Sequence, residues 1–263
     1  LDKMPIRVAP ETSEPIKKLL EYSNQIEQDW GLNHDLERKK MPAFEQIEIN
    51  QIIIKGVNDN QITLHIHRPA KQTGTLPAVV HTHGGGMTIM SAEDPSYVRW
   101  RSLLATHDLV VIGVEFRNAG GRLGNSPFPA GLNDCASATQ WVFDNKRQLD
   151  VSSIIISGES GGGNLSIATA LKAKKENWLS QINGVYACCP YISGSYENKP
   201  SELVSLKEND GYLINCKQMA VLAHLYDPNG KKIKNPLAWP YHSTEEDLYG
   251  LPPHFIWTNE LDP

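Results

Sequence analysis

The residues best placed to do chemistry lie at Gly158-Glu159-Ser160-Gly161-Gly162-Gly163-Asn164. The β-branched run Ile154-Ile155-Ile156 precedes them, and a helix-forming run from Leu165 to Lys175 follows. A Gly-x-Ser-x-Gly turn between a strand and a helix forms a nucleophile elbow. Glycines on both sides remove the Cβ atoms that would block so tight a turn. The hydroxyl then stands at a strand tip, with the positive end of the helix beneath it. A serine hydroxyl is a weak nucleophile at neutral pH. It needs a histidine base, and the histidine needs an acid that fixes its tautomer and balances its charge.

A chance Gly-x-Ser-x-Gly arises in roughly one chain in ten of this length, so the turn needs a second signal. His83-Gly84-Gly85-Gly86 provides it, directly after the β-rich run Leu76 to Thr82. Consecutive glycines leave backbone N–H groups unobstructed and able to converge on one point, as an oxyanion hole requires. Asp262 is the candidate acid. It follows the last apolar run, Phe255 to Thr258, and lies after Ser160 in the chain, with Glu260 as its competitor.

The elements that must position these groups alternate. Residues 13–30 read as an amphipathic helix, with Ser13 able to cap it, Pro15 in its first turn and Gly31 ending it. Residues 44–55 and 61–68 alternate in hydropathy around Asn58-Asp59-Asn60, which predicts a hairpin. His65 and His67 share one face of the second strand and read as half-exposed rather than as metal ligands, since no third ligand is evident. Helices are predicted over Tyr97–Ala105, Asn133–Asn145 and Cys216–Tyr226, and buried strands over Leu109–Phe116, 154–157 and Ile182–Cys189. Arg117 to Pro129 is a structured loop near the site. Asp134 reads as a cap or structural acceptor. Leu213, Met219, Leu222 and Leu225 read mainly as core, in an insert at 191–230 that can cover a pocket. Alternation from residue 76 onward predicts a mainly parallel sheet with helices on both faces. Sites in such sheets lie beyond the carboxyl ends of the strands. Loop 83–86, Ser160 and Asp262 each follow a predicted strand, so they can meet at one edge.

The 263 residues suit a single α/β domain. The net charge of −5 gives no reason to expect nucleic acid or an anionic membrane surface. No apolar run approaches the ~20 residues of a membrane span, and no signal-peptide pattern is visible. Cys135, Cys188, Cys189 and Cys216 lack metal spacing and read as reduced thiols of a cytoplasmic protein, with adjacent Cys188 and Cys189 on opposite faces of a strand.

These motifs together resemble the hormone-sensitive lipase family of α/β-hydrolases. The likeness runs over roughly residues 80–263 and is nearest to the bacterial brefeldin A esterases of that family. It is carried by HGGGMTIM (83–90), FRNA (116–119), GESGGGNL (158–165), YISG (191–194), ENDGY (208–212), AWPY (238–241) and NELDP (259–263). The resemblance implies an α/β-hydrolase fold: one domain over 1–263, incomplete at its C-terminus, with cap elements at approximately 1–40 and 191–230. It implies Ser160 as nucleophile, Asp262 as triad acid, and the N–H groups of Gly85, Gly86 and Gly161 as oxyanion hole. His83 is then a structural anchor. One departure is Phe116-Arg117-Asn118-Ala119, where many family members carry Tyr-Arg-Leu-Ala-Pro.

The family's histidine sits some tens of residues beyond the acid, whereas this sequence stops at Pro263. A further C-terminal segment or a second chain is therefore expected to carry it, and the 263 residues alone are expected to turn over weakly or not at all. The activity implied is carboxylic ester hydrolysis through an acyl-enzyme, on short or medium acyl esters or on lactones such as brefeldin A-like macrolides. No metal or organic cofactor is expected, the partner is a small-molecule ester, and a homodimer is compatible. Two alternatives share the fold: a non-catalytic small-molecule receptor, and a serine peptidase, which does not usually carry the His-Gly-Gly-Gly loop.

Overall fold

The protein is described from a computed structural model covering residues 7–38, 41–71 and 74–263. Residues 1–6 and 39–40 of the expected N-terminal cap lie outside the described residues.

One sheet organises the chain. Its strands are β1 (Ile47–Lys55), β2 (Gln61–Pro69), β3 (Leu76–Thr82), β4 (Val110–Glu115), β5 (Val151–Glu159), β6 (Gly184–Cys188) and β7 (His254–Trp257). The order across the sheet is β1-β2-β4-β3-β5-β6-β7. β1 and β2 form the antiparallel hairpin read from the sequence, and β2 pairs antiparallel with β4. Every other pairing is parallel.

The helices are α1 (Ile16–Arg38), α2 (Pro95–Ala105), α3 (Ala130–Asp144), α4 (Gly161–Lys175), α5 (Ser205–Glu208), α6 (Cys216–Tyr226) and α7 (Glu245–Leu248). Strand alternation sorts them onto two faces. Ala78 and Val80 of β3 and Val110, Ile112 and Val114 of β4 join Leu132 and Leu165, from α3 and α4, in the main core. The intervening Val79 and Val111 face the other way and pack with Ala105 and Leu104 of α2. Local signals set the helix starts. Pro95 opens α2, and the Asn215 side chain accepts the Gln218 N–H at the start of α6.

Several expectations need correction. α1 does not stop at Gly31 but continues to Arg38. A Cβ at Gly31 would meet nothing within 4 Å, so this glycine costs helix propensity without forcing a break. The insert at 191–230, in which only the helix Cys216–Tyr226 was expected, also holds the short helix α5. β6 ends at Cys188. Cys189 leaves it with φ 36°, so the two thiols are not on opposite faces but 3.9 Å apart. Met219, Leu222 and Leu225 are buried as expected, whereas Leu213 is 81% exposed.

His65 and His67 are buried, not half-exposed. The cause is α2, which lays the fully buried Arg101 across this face. Arg101 Nε donates to His67 Nε2 at 3.1 Å, and Nη2 donates to the Ala92 carbonyl at 2.7 Å. The guanidinium fits because Gly113 of β4 has no side chain; a Cβ there would lie 2.7 Å from Arg101 Cζ.

The register brings the site together. Thr82 pairs with Gly158, Glu159 with Cys188, and Cys188 with Trp257. The carboxyl ends of β3, β5, β6 and β7 therefore line up. Loop 83–86, Ser160, Cys189 and segment 258–262 all emerge at one edge of the sheet.

Candidate active site

Ser160 lies between β5 and α4 with φ 53° and ψ −114°, a strained conformation for a residue with a Cβ. Hydrogen bonds hold it there. Its N–H donates to the Cys188 carbonyl at 2.8 Å, and its carbonyl accepts from Asn164 N at 3.0 Å and Tyr191 N at 2.9 Å. The glycines around it are required by contact. A Cβ on Gly158 would sit 2.3 Å from the Gly162 carbonyl oxygen and 2.4 Å from Thr82 Oγ1. One on Gly162 would sit 2.1 Å from the Thr82 carbonyl oxygen. Thr82 also ties β3 to the elbow, donating through Oγ1 to the Gly162 carbonyl at 2.8 Å.

Loop 83–86 abuts the elbow. A Cβ on Gly161 would fall 2.7 Å from Gly86 N and 2.5 Å from Met87 N. The start of α4 therefore packs backbone to backbone against this loop. Gly85 and Gly86 have φ 91° and 61°, left-handed values that suit glycine. Their N–H groups donate to no acceptor among the described residues. Gly161 opens α4, where N–H groups have no acceptor within the helix. Such donors can receive the charge that develops on a carbonyl oxygen under attack.

His83 is fully buried, and its ring stacks on Phe116 at 4.1 Å between centroids. Its Nδ1–H donates to the Gly84 carbonyl at 2.8 Å. Burial pushes its pKa down to about 3, and Arg101 and Arg122 add to the fall. It is therefore a neutral ring wedged beneath the loop. The segment after β4 holds residues 87–90, which continue this loop. Ala119 N donates to the Met87 carbonyl, Gly120 N to the Thr88 carbonyl, and Asn118 Nδ2 to the Met90 carbonyl at 2.7 Å. α1 joins in, because the buried Glu27 carboxylate accepts from Met90 N and Arg122 N, both at 2.7 Å.

Asp262 is half-buried beyond β7, and burial pushes its carboxyl pKa up. The Asn209 amide braces this turn, donating at 3.1 Å to the main-chain carbonyls of Glu260 and Asp262. Asp262 also helps to raise the thiol of Cys189, which burial and Cys188 push up to about 12. Asp262 thus lies beside the segment whose carbonyl holds the Ser160 N–H. Glu260 is exposed. His254 sits at the opposite end of β7, with Nδ1 2.7 Å from the Pro252 carbonyl. Asp134 is structural: it is fully buried and accepts from Arg117 N, Nε and Nη2 at 2.9 Å each and from Asn60 at 3.0 Å.

Sequence reasoning missed Tyr97, Phe116, Asn118 and Glu27, which brace the loop from distant parts of the chain. Only the FRNA segment carried any sign of them. A separate cleft of about 440 Å³, lined by residues such as Thr12, Ile16, Pro127 and His224, includes none of the expected site residues. Among the described residues, no group of three or more His, Cys, Asp or Glu side chains could hold a metal ion, and no helix is long and apolar enough to cross a membrane.

A mainly parallel sheet with a serine elbow at its carboxyl edge defines an α/β-hydrolase, and residues 79–263 match the family described as alpha/beta hydrolase fold. The chain belongs to that family, in its hormone-sensitive lipase branch. It is similar to the solved structure of brefeldin A esterase, described as a bacterial homologue of human hormone-sensitive lipase. That match has a TM-score of 0.89 and 41% identity over 97% of this chain and 72% of that one. The structure of esterase Est22 matches with a TM-score of 0.82 and 34% identity, over 97% and 78%. Among curated relatives, tuliposide A-converting enzyme b3 of Tulipa gesneriana is 27% identical over 80% of this chain. Carboxylesterase NlhH of Mycobacterium tuberculosis is 29% identical over 83% of this chain and 66% of its own length. The chain spans 55% of the length of that tulip enzyme.

Proposed function

We propose that this chain is the nucleophile-bearing part of a carboxylic ester hydrolase. The observation that carries this reading is the contact between the strained Ser160 elbow and loop 83–86, with Gly161 packed on the backbone nitrogens of Gly86 and Met87. Ser160 Oγ attacks the ester carbonyl carbon and gives its proton to the histidine base that such a serine requires. The N–H groups of Gly85, Gly86 and Gly161 take the negative charge of the tetrahedral intermediate. The alcohol leaves with the histidine's proton, and water then releases the acid from Ser160. Asp262 orients the histidine and balances its charge. The neutral, buried His83 supports the loop and takes no proton.

The similarity to brefeldin A esterase favours short or medium acyl esters and lactones. α1 and residues 191–230 act as a cap over the acyl site. The test uses the full-length protein, a p-nitrophenyl ester and a fluorophosphonate probe. Ser160→Ala should abolish hydrolysis and labelling. Turnover like the wild type in that variant overturns the assignment, as does tight ligand binding without labelling of Ser160.

A further inference from the structure

We propose that Tyr97 is a positioning residue for this reaction: its hydroxyl ties loop 83–86 to Glu159 and so fixes the oxyanion donors against the nucleophile. The inference rests on the ester-hydrolase reading. Tyr97 stands in the first turn of α2 and is 5% exposed. Its Oη accepts the Gly84 N–H at 3.0 Å. The same oxygen lies 3.4 Å from Glu159 Oε1 and 3.6 Å from Met90 Sδ. A phenol has one proton to donate. A carboxylate accepts it more strongly than a thioether does, so the chain of bonds runs from Gly84 N–H through Tyr97 O–H to Glu159.

The two ends of this chain are the neighbours of the reacting groups. Gly84 precedes Gly85 and Gly86, and Glu159 precedes Ser160. The fit is close, because a Cβ on Gly84 would meet Tyr97 Oη at 2.8 Å and Glu159 Oε1 at 3.2 Å. α2 is itself a fixed support, anchored one turn further on by Arg101 to His67 and the Ala92 carbonyl. Burial and the charge of Glu159 push the Tyr97 pKa well up, so the hydroxyl keeps its proton across the working pH range. A side chain that only filled space would not need the oxygen.

Tyr97→Phe keeps the ring and removes the tie. In the full-length protein, kcat for a p-nitrophenyl ester should fall about 10-fold, or about 1.4 kcal/mol, with KM within about twofold. Glu159→Ala should produce a similar loss. The double variant should be no slower than either single one, since both break the same chain. Glu159→Gln, which keeps an acceptor oxygen, should recover most of the rate. A Tyr97→Phe enzyme with unchanged kcat overturns the proposal, as do losses that multiply in the double variant or a loss confined to melting temperature. If Ser160→Ala is active, the ester-hydrolase reading itself fails. If Ser160→Ala is dead and Tyr97→Phe is normal, only the tie fails.

Discussion

Gly162 is the elbow position at which one added carbon should do most damage. An alanine there places its Cβ 2.1 Å from the Thr82 carbonyl oxygen and 2.6 Å from that of His83. Both obstacles are backbone, one at the end of β3 and the other at the head of loop 83–86, so no side chain can swing aside. Carbon and oxygen rest at about 3.3 Å or more, and the start of α4 must therefore withdraw by about 1 Å. Ser160 moves with it, away from Gly85 and Gly86. A misplacement of about 1 Å can cost about 100-fold in rate, or roughly 2.7 kcal/mol of transition-state stabilisation. Overpacking should also cost about 1–3 kcal/mol of stability. The assay compares kcat/KM for a p-nitrophenyl ester, the rate of fluorophosphonate labelling and the melting temperature of full-length wild type and Gly162→Ala. Labelling should slow in step with hydrolysis, because both need the serine beside its donors. A variant that hydrolyses within about threefold of the wild type refutes the reasoning, even if it melts earlier.

Two further outcomes follow from the buried polar groups. Burial lowers the pKa of His67 and His83 to about 3, against an ordinary 6.5. Between those values the unfolded chain binds protons that the folded one refuses, so the contribution of these two groups to stability falls as pH drops below 6.5 and is flat above it. Each histidine should cost about 2 kcal/mol at pH 5 relative to pH 8. Glu115, whose acid form burial favours, works in the opposite sense and trims the total. Denaturant unfolding at the two pH values checks this, and equal stabilities would contradict it. Asp134→Ala should cost about 3 kcal/mol, because it strands the Arg117 fork and the Asn60 amide in a mostly buried site. A melting temperature unchanged from the wild type would show that this network contributes nothing.

The frame of the fold was legible because β-branched runs and glycine turns act locally. Ile154-Ile155-Ile156 reads as a strand and Gly158 to Gly163 as a tight turn before any partner is known. β3 matched its predicted span because Thr82 is followed by His83 and three glycines, and the chain turns at Gly85 and Gly86, both with positive φ. The braces of the site were not legible, since each joins residues far apart in the chain. Nothing near Glu27 announces that it will accept from Met90 and Arg122, and nothing near Tyr97 announces Gly84. His65 and His67 misled for the same reason. Alternation places them on a polar face, but α2 covers that face with a cation whose fit depends on a glycine in another strand. Asp262 was legible as an acid after a strand, while its bracing by Asn209 depends on the polar segment 191–211, whose path no periodicity indicates.

The slot at Gly113 has an evolutionary consequence. With Arg101 in place, a methyl group at 113 would lie 2.7 Å from the guanidinium carbon, so alanine could enter this strand position only if the guanidinium left its bonds to His67 and the Ala92 carbonyl. With Arg101 lost, the same methyl group would fill the vacated space. The two positions are bound into an epistatic pair in which the order of substitution decides whether an intermediate survives. Lineages that keep these arginine bonds are held to glycine at the centre of β4, and those that lose them are released from that restriction.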